Sequence, residues 1–123
     1  MADKSMIYGT DYHIHTTFSD GREGPEACIE AAVKKGLREI GFSDHLNPAG
    51  EHLKWCMDHD RLPEYAERIM KLKSEHPEIA VRMGIEVDYL PKMEKETERL
   101  INSFPFDYII GSVHYLGEET VDL

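Results

Sequence analysis

Two histidines set two apart define the first chemistry in this chain. In TDYHIHTTFSDG, residues 10–21, His13 and His15 flank one isoleucine, and Asp20 follows in a bare Ser-Asp-Gly. Residues i and i+2 of an extended strand share a face, so a His-x-His in a strand aims two imidazoles at one spot. Further along, GFSDH carries Asp44 and His45, GIEVDY carries Glu86 and Asp88, and GSVH ends in His114. Imidazole and carboxylate donors without thiolate suit Zn, Mn or Fe and do not select among them. The candidate ligands His13, His15, Asp20, His45, Glu86 and His114 exceed what one four-coordinate ion takes, so a cluster of two or three divalent ions is expected. Such a cluster makes hydroxide available at neutral pH and clamps an anionic substrate for in-line attack. Hydrolysis of a phosphate ester is the reaction class that fits.

Each signal alone has a plainer origin. A lone histidine at a strand end usually faces solvent or caps a turn, and Ser-Asp-Gly is most often a turn, the favoured reading of Asp20 taken singly. Glu86 resists that treatment, because a carboxylate between Ile85 and Val87 is costly unless it faces water, a cation or a metal. Asp11 and Asp44, beside ligand histidines, fit as carboxylates orienting imidazoles; for Asp44 a turn or helix-cap role fits equally. His76, before Pro77, reads as a helix C-terminal cap. His52 and His59 fall in a long loop that would overhang the site, where solvent exposure is favoured over contact with substrate. Trp55 and Met57 read as packing.

These residues need elements to carry them, and the chain alternates accordingly. A β-like run over 6–14 precedes a helix from Pro25 to Gly36, with Cys28, Ile29, Ala32 and Val33 as its apolar stripe. REIGFS, 38–43, reads as a second strand, followed by a long loop and a helix from Pro63 to His76. IAVRMGIEV, 79–87, alternates as a third strand with Ile79, Val81, Met83 and Ile85 on one side. A helix over about 92–102 carries Met93, Thr97, Leu100 and Ile101 on one face, and 106–114 reads as a fourth strand. Strands alternating with helices are the signature of βα units and a parallel sheet. The candidate ligands then fall at or after the carboxyl ends of four strands, where parallel α/β folds build their sites. That joint placement carries the metal reading further than any single motif.

The whole chain, 1–123, reads as one domain, and its composition narrows the partners. With 14 Lys and Arg against 24 Asp and Glu, the net charge is -10. That balance speaks against nucleic acid and against anionic membranes as partners. An acidic protein acting on an anion needs bound cations to invert its local field. Cys28 and Cys56 match no C-x-x-C pattern and read as reduced thiols of a cytoplasmic protein. The opening MADKSMIYG is too polar for a signal peptide, and no apolar run approaches membrane-spanning length.

DYHIHTTFSDG, GFSDH, GIEVDY and GSVHYL, in that order on βα units, resemble the PHP (polymerase and histidinol phosphatase) family, most closely its histidinol-phosphatase branch. The resemblance implies an α/β fold, the N-terminal half of a distorted (β/α)7 barrel with about four parallel strands. It implies a trinuclear site in which His13 and His15 hold one metal and Glu86 bridges it to a second, served by His114. Asp20 and His45 would serve a third. The implied reaction is hydrolysis of L-histidinol phosphate, a small phosphorylated substrate, to L-histidinol and phosphate by a metal-bridging hydroxide. Family members carry further ligands, a later His and an Asp-x-His motif, together with basic phosphate-binding residues. Here the chain stops soon after the fourth strand, at VDL, whereas a closed α/β barrel takes more than about 200 residues. Three arrangements would complete the site: a longer parent enzyme, a homodimer pooling ligands across its open edges, or a different second chain. The competing functions are a non-catalytic metal-binding or interaction module and another phosphoesterase of the family, such as a nuclease.

Overall fold

A computed structural model describes residues 9–49 and 55–112, and the backbone of 115–116 and 119–120. Strands β1 (Thr10–Ile14), β2 (Glu39–Leu46), β3 (Ala80–Asp88) and β4 (Tyr108–Ser112) form one parallel sheet in the order β1-β2-β3-β4. Helices α1 (Pro25–Lys34), α2 (Leu62–Glu75) and α3 (Glu94–Ile101) connect them in turn, and a 3-10 turn, His59–Arg61, leads into α2. A short antiparallel pair, β5 (Tyr115–Leu116) with β6 (Glu119–Thr120), follows. Because strand order is chain order and crossovers keep one hand, the helices gather on one face of the sheet.

That packed face holds the core. Ile40, Phe42 and Leu46 of β2 and Val81, Met83, Ile85 and Val87 of β3 meet Ile29 and Ala32 of α1, Tyr65, Ala66, Ile69 and Leu72 of α2, and Leu100 of α3. Strand alternation sends every second side chain there. Tyr65 is fully buried, and its hydroxyl donates to the Gly84 carbonyl at 2.7 Å, so α2 is both packed and hydrogen-bonded to β3. Helix α1 starts at Pro25 and ends before Gly36 (φ +79°), as its sequence predicts. Its stripe is narrower than expected: Ile29 and Ala32 are buried, but Val33 is 41% exposed.

The other face of the sheet carries Tyr12, Glu39, Arg82 and Tyr108. The Tyr12 hydroxyl and the Arg82 guanidinium both donate to Glu39, and the Tyr108 hydroxyl donates to the Tyr12 carbonyl at 2.6 Å. The Tyr108 ring lies over Gly41 and Gly84, where any side chain would collide with it. This face leads directly to the candidate site.

Two further features differ from expectation. The second strand runs on through Leu46 instead of ending at 43, because residues 43–46 pair in register with 84–87. Ser-Asp-His reads as a loop locally, and pairing with β3 overrides that propensity. Asp44 and His45 therefore sit inside a strand, on opposite faces. In β1, the two residues between Asp11 and Ile14 oppose the single residue between Ile40 and Phe42, which is a bulge. The extra residue lets Tyr12 and His13 look to the same side, where a regular strand would have separated them.

Candidate metal centre

Glu86 is the hub of the site. It is 3% exposed, sits near the carboxyl end of β3 and lies directly across from His45 in the β2–β3 register. Its Oε1 accepts from His13 Nε2 and lies 3.3 Å from His15 Nε2, while its Oε2 lies 2.9 Å from His45 Nδ1. The imidazoles crowd one another, with ring centroids 4.9 Å apart for His13 and His15 and 4.1 Å for His15 and His45. Protonating them all would place like charges in that space. Burial indeed pushes His45 below the ordinary histidine value, against the pull of Glu86. Three imidazoles gathered around one buried carboxylate make a nitrogen and oxygen donor set that a divalent cation would fit.

The second grouping lies on the other side of His15. Its Nδ1 is 3.0 Å from Asp20 Oδ1, and His45 Nε2 is 3.3 Å from Asp20 Oδ2. Two sets of donor atoms each lie within 4.8 Å of one another: His13, His15 and Glu86, and His15, Asp20 and His45. The donors are nitrogen and oxygen only, which fits Zn, Mn or Fe. Access is graded, since the side chain of His13 is 59% exposed and that of Glu86 only 4%. The structure therefore brings five of the sequence-derived ligands, His13, His15, Asp20, His45 and Glu86, to one place. The sixth, His114, lies outside the described residues, as does His52.

Neither neighbouring carboxylate orients an imidazole; for Asp44 the turn role is the alternative the structure favours. Asp11 accepts from the His13 backbone N–H at 3.1 Å, so what it caps is the strand and not an imidazole. Asp44, fully buried on the packed face, accepts from Thr16 N (2.6 Å), Thr16 Oγ1 (2.9 Å) and Ser19 Oγ (2.6 Å). Burial holds its pKa above the usual aspartate value, a rise those three bonds only partly offset. Thr16 and Ser19 escaped notice in the sequence; the signal was there, a Thr-Thr-Phe-Ser run feeding directly into Asp20. Asp88, also fully buried, accepts from Asn47 Nδ2 at 3.3 Å and Ser112 Oγ at 3.1 Å, tying the ends of β2, β3 and β4 together. Cys56 Sγ lies 3.9 Å from Asp88, and burial beside that carboxylate pushes the thiol up to about 12.

The remaining histidines sit apart from the cluster. His59 donates through Nε2 to the Asn47 carbonyl at 2.6 Å, bracing the loop after β2. His76 is the C-cap of α2 as expected, its backbone N–H donating to the Leu72 carbonyl at 3.0 Å, while its imidazole Nδ1 pairs with Glu78 at 2.8 Å and not with a carbonyl. Met57 joins the core as expected, and Trp55 is half-buried.

A parallel α/β sheet with histidines and carboxylates clustered at the carboxyl ends of its strands defines a metal-site class of protein. The model for the PHP domain matches residues 11–122, and the chain belongs to that family. A probable histidinol-phosphatase from Deinococcus radiodurans is 38% identical over 110 residues, covering 87% of this chain and 42% of that protein. The crystal structure of histidinol phosphate phosphatase from Lactococcus lactis, complexed with Zn, L-histidinol and phosphate, superposes with a TM-score of 0.79 at 33% identity. It covers 89% of this chain, which in turn spans 41% of that one. The DNA polymerase/3'-5' exonuclease PolX of Bacillus subtilis is 30% identical over 108 residues, 18% of its length. The chain thus spans about two fifths of the length of the histidinol phosphatases it matches. Its four parallel strands and their helices form a half-barrel of the histidinol-phosphatase type. Among the described residues no helix is long and apolar enough to cross a membrane.

Proposed function

We propose that this chain contributes the metal-binding half of a phosphomonoesterase acting on L-histidinol phosphate. The observation that carries the proposal is the environment of Glu86, a buried carboxylate whose two oxygens face different histidines. That is how a bridging ligand is disposed. His13 and His15 with Glu86 Oε1 would hold one ion, and His45 and Asp20 would hold a neighbour reached by Glu86 Oε2. His114 would complete the set. When bound, divalent ions supply Lewis-acid charge to the ester and lower the pKa of water. The protein's own part is to fix the donors, keep Glu86 dry and leave His13 open to an incoming phosphate. The histidinol and phosphate bound by the Lactococcus lactis enzyme support this choice of substrate.

A second reading is favoured by length. The alternative is a metal-binding module without turnover, since the matched region is about two fifths of its histidinol-phosphatase relatives. A nucleic-acid substrate, suggested by the PolX match, is disfavoured by the net charge of -10. Phosphate release from L-histidinol phosphate, p-nitrophenyl phosphate and single-stranded DNA by the metal-loaded chain separates these readings. Turnover of L-histidinol phosphate that is abolished in His13→Ala is expected. Stoichiometric metal with no turnover of any of them would replace the enzyme with the binding module.

A further inference from the structure

We infer that Asp44 is a positioning residue, whose carboxylate fixes loop 16–21 from behind so that Asp20 meets His15 and His45. The inference rests on the metal-centre reading above and adds how the second grouping is preorganised.

The geometry runs through one strand. Asp44 and His45 are consecutive in β2 and therefore point to opposite faces. His45 reaches Asp20 on the open face, while Asp44 on the packed face accepts Thr16 N, Thr16 Oγ1 and Ser19 Oγ. Ser19 Oγ also accepts the His45 backbone N–H at 3.2 Å, so one hydroxyl links the carboxylate, the ligand strand and the residue before Asp20. The loop is then closed on itself: Ser19 N and Gly21 N both donate to the Thr16 carbonyl, at 3.0 and 2.8 Å. Gly21 packs against the His15 carbonyl so closely that any side chain would collide with it. Both neighbours of Asp20 are pinned in this way, and Asp20, whose side chain is 38% exposed, is presented where His15 Nδ1 and His45 Nε2 converge.

Burying a carboxylate behind a site is expensive unless its bonds are made, and bonds to a charged acceptor are the strong ones. Asp44 has three, all from the loop that carries one proposed ligand, and they reach no imidazole. A residue serving the fold alone would stabilise both metal groupings equally. A positioning residue for Asp20 affects one of them.

The test is a Co2+ titration of the metal-free chain followed by d–d absorption, in wild type, Asp20→Ala, Ser19→Ala, Asp44→Ala and Asp44→Asn. Asp20→Ala identifies the Asp20-dependent site. Ser19→Ala and Asp44→Ala are expected to weaken that site about 10- to 100-fold, the usual effect of removing a partner that orients a ligand. The His13, His15 and Glu86 site should change by less than about threefold. Asp44→Asn, which keeps an acceptor oxygen for the loop, is expected to recover most of the loss. Should Asp44→Ala fail to fold by circular dichroism, Ser19→Ala and Asp44→Asn carry the comparison. Parallel weakening of both sites, or wild-type affinity at both in Ser19→Ala and Asp44→Ala, would overturn the inference. If Asp20→Ala removes no Co2+ site from wild type, the metal role of Asp20 fails first and this inference with it.

Discussion

Replacing Glu86 by glutamine separates the metal account from a purely structural one. Glutamine keeps the shape of a side chain that is 3% exposed but removes its charge and one of its two acceptor oxygens. Glu86 Oε1 faces His13 and His15 and Oε2 faces His45, so a bridging carboxylate would be lost to both ions at once. Removing one partner of a buried charge pair costs about 3–5 kcal/mol. At 1.4 kcal/mol per tenfold, that is a loss of at least about 100-fold in metal affinity. In the metal-free chain glutamine keeps one acceptor oxygen for the histidines, so the loss of metal binding is read as the difference in stability with and without the ion. The assay is thermal unfolding with and without Zn2+, at a free concentration 100 times the wild-type Kd. Linkage gives wild type about 2.7 kcal/mol of stabilisation, and a 100-fold weaker variant about 0.4 kcal/mol. At about 4 °C per kcal/mol for a domain of this size, the Zn2+-induced rise in Tm should shrink from about 11 °C to about 2 °C. An undiminished rise in Glu86→Gln would refute the reasoning, since the hub would then not be a ligand.

Other consequences are narrower. Burial lowers His45, so its folded-state pKa lies below the unfolded value of about 6.5; the stability it contributes is present above that pH and is lost as pH falls through the folded value. Urea midpoints of the metal-free chain between pH 7.5 and 5 should therefore fall more steeply in wild type than in His45→Gln, and equal slopes would contradict the assignment. Metal retention should weaken over the same range because ligand imidazoles must be neutral, which dialysis at pH 5 against pH 7.5 would show. Tyr65→Phe deletes the 2.7 Å hydrogen bond to Gly84 and should cost about 1–2 kcal/mol in urea unfolding while leaving metal affinity unchanged. Cys56, pushed up to about 12, should resist iodoacetamide at pH 8 in the folded chain and react on unfolding.

Much of this arrangement was legible in the residues themselves. The strand–helix alternation, the pairing of His13 with His15 and the cost of burying Glu86 all follow from period and burial arguments, and the sheet bears out the alternation in its order β1-β2-β3-β4. What was not legible depends on partners distant in the chain. Strand β2 reaches Leu46 only because β3 is there to pair with it, and this is what divides Asp44 from His45. The bulge in β1 is a register effect that residue types do not announce. Asp44 as a loop clamp needed the positions of Thr16 and Ser19, which lie 28 and 25 residues away in sequence. Tyr108 covering Gly41 and Gly84 has no local signal at all, since each glycine reads alone as an ordinary strand weakness.

The measurement that tests the central claim most directly is metal content by mass spectrometry on a sample whose molar mass is fixed by light scattering. Two or more ions per chain, reduced by half or more in Glu86→Gln at the same molar mass, is the result predicted by a cluster bridged at Glu86. Less than one ion per chain after loading with excess Zn2+ or Mn2+, in a folded sample of either variant, would contradict it.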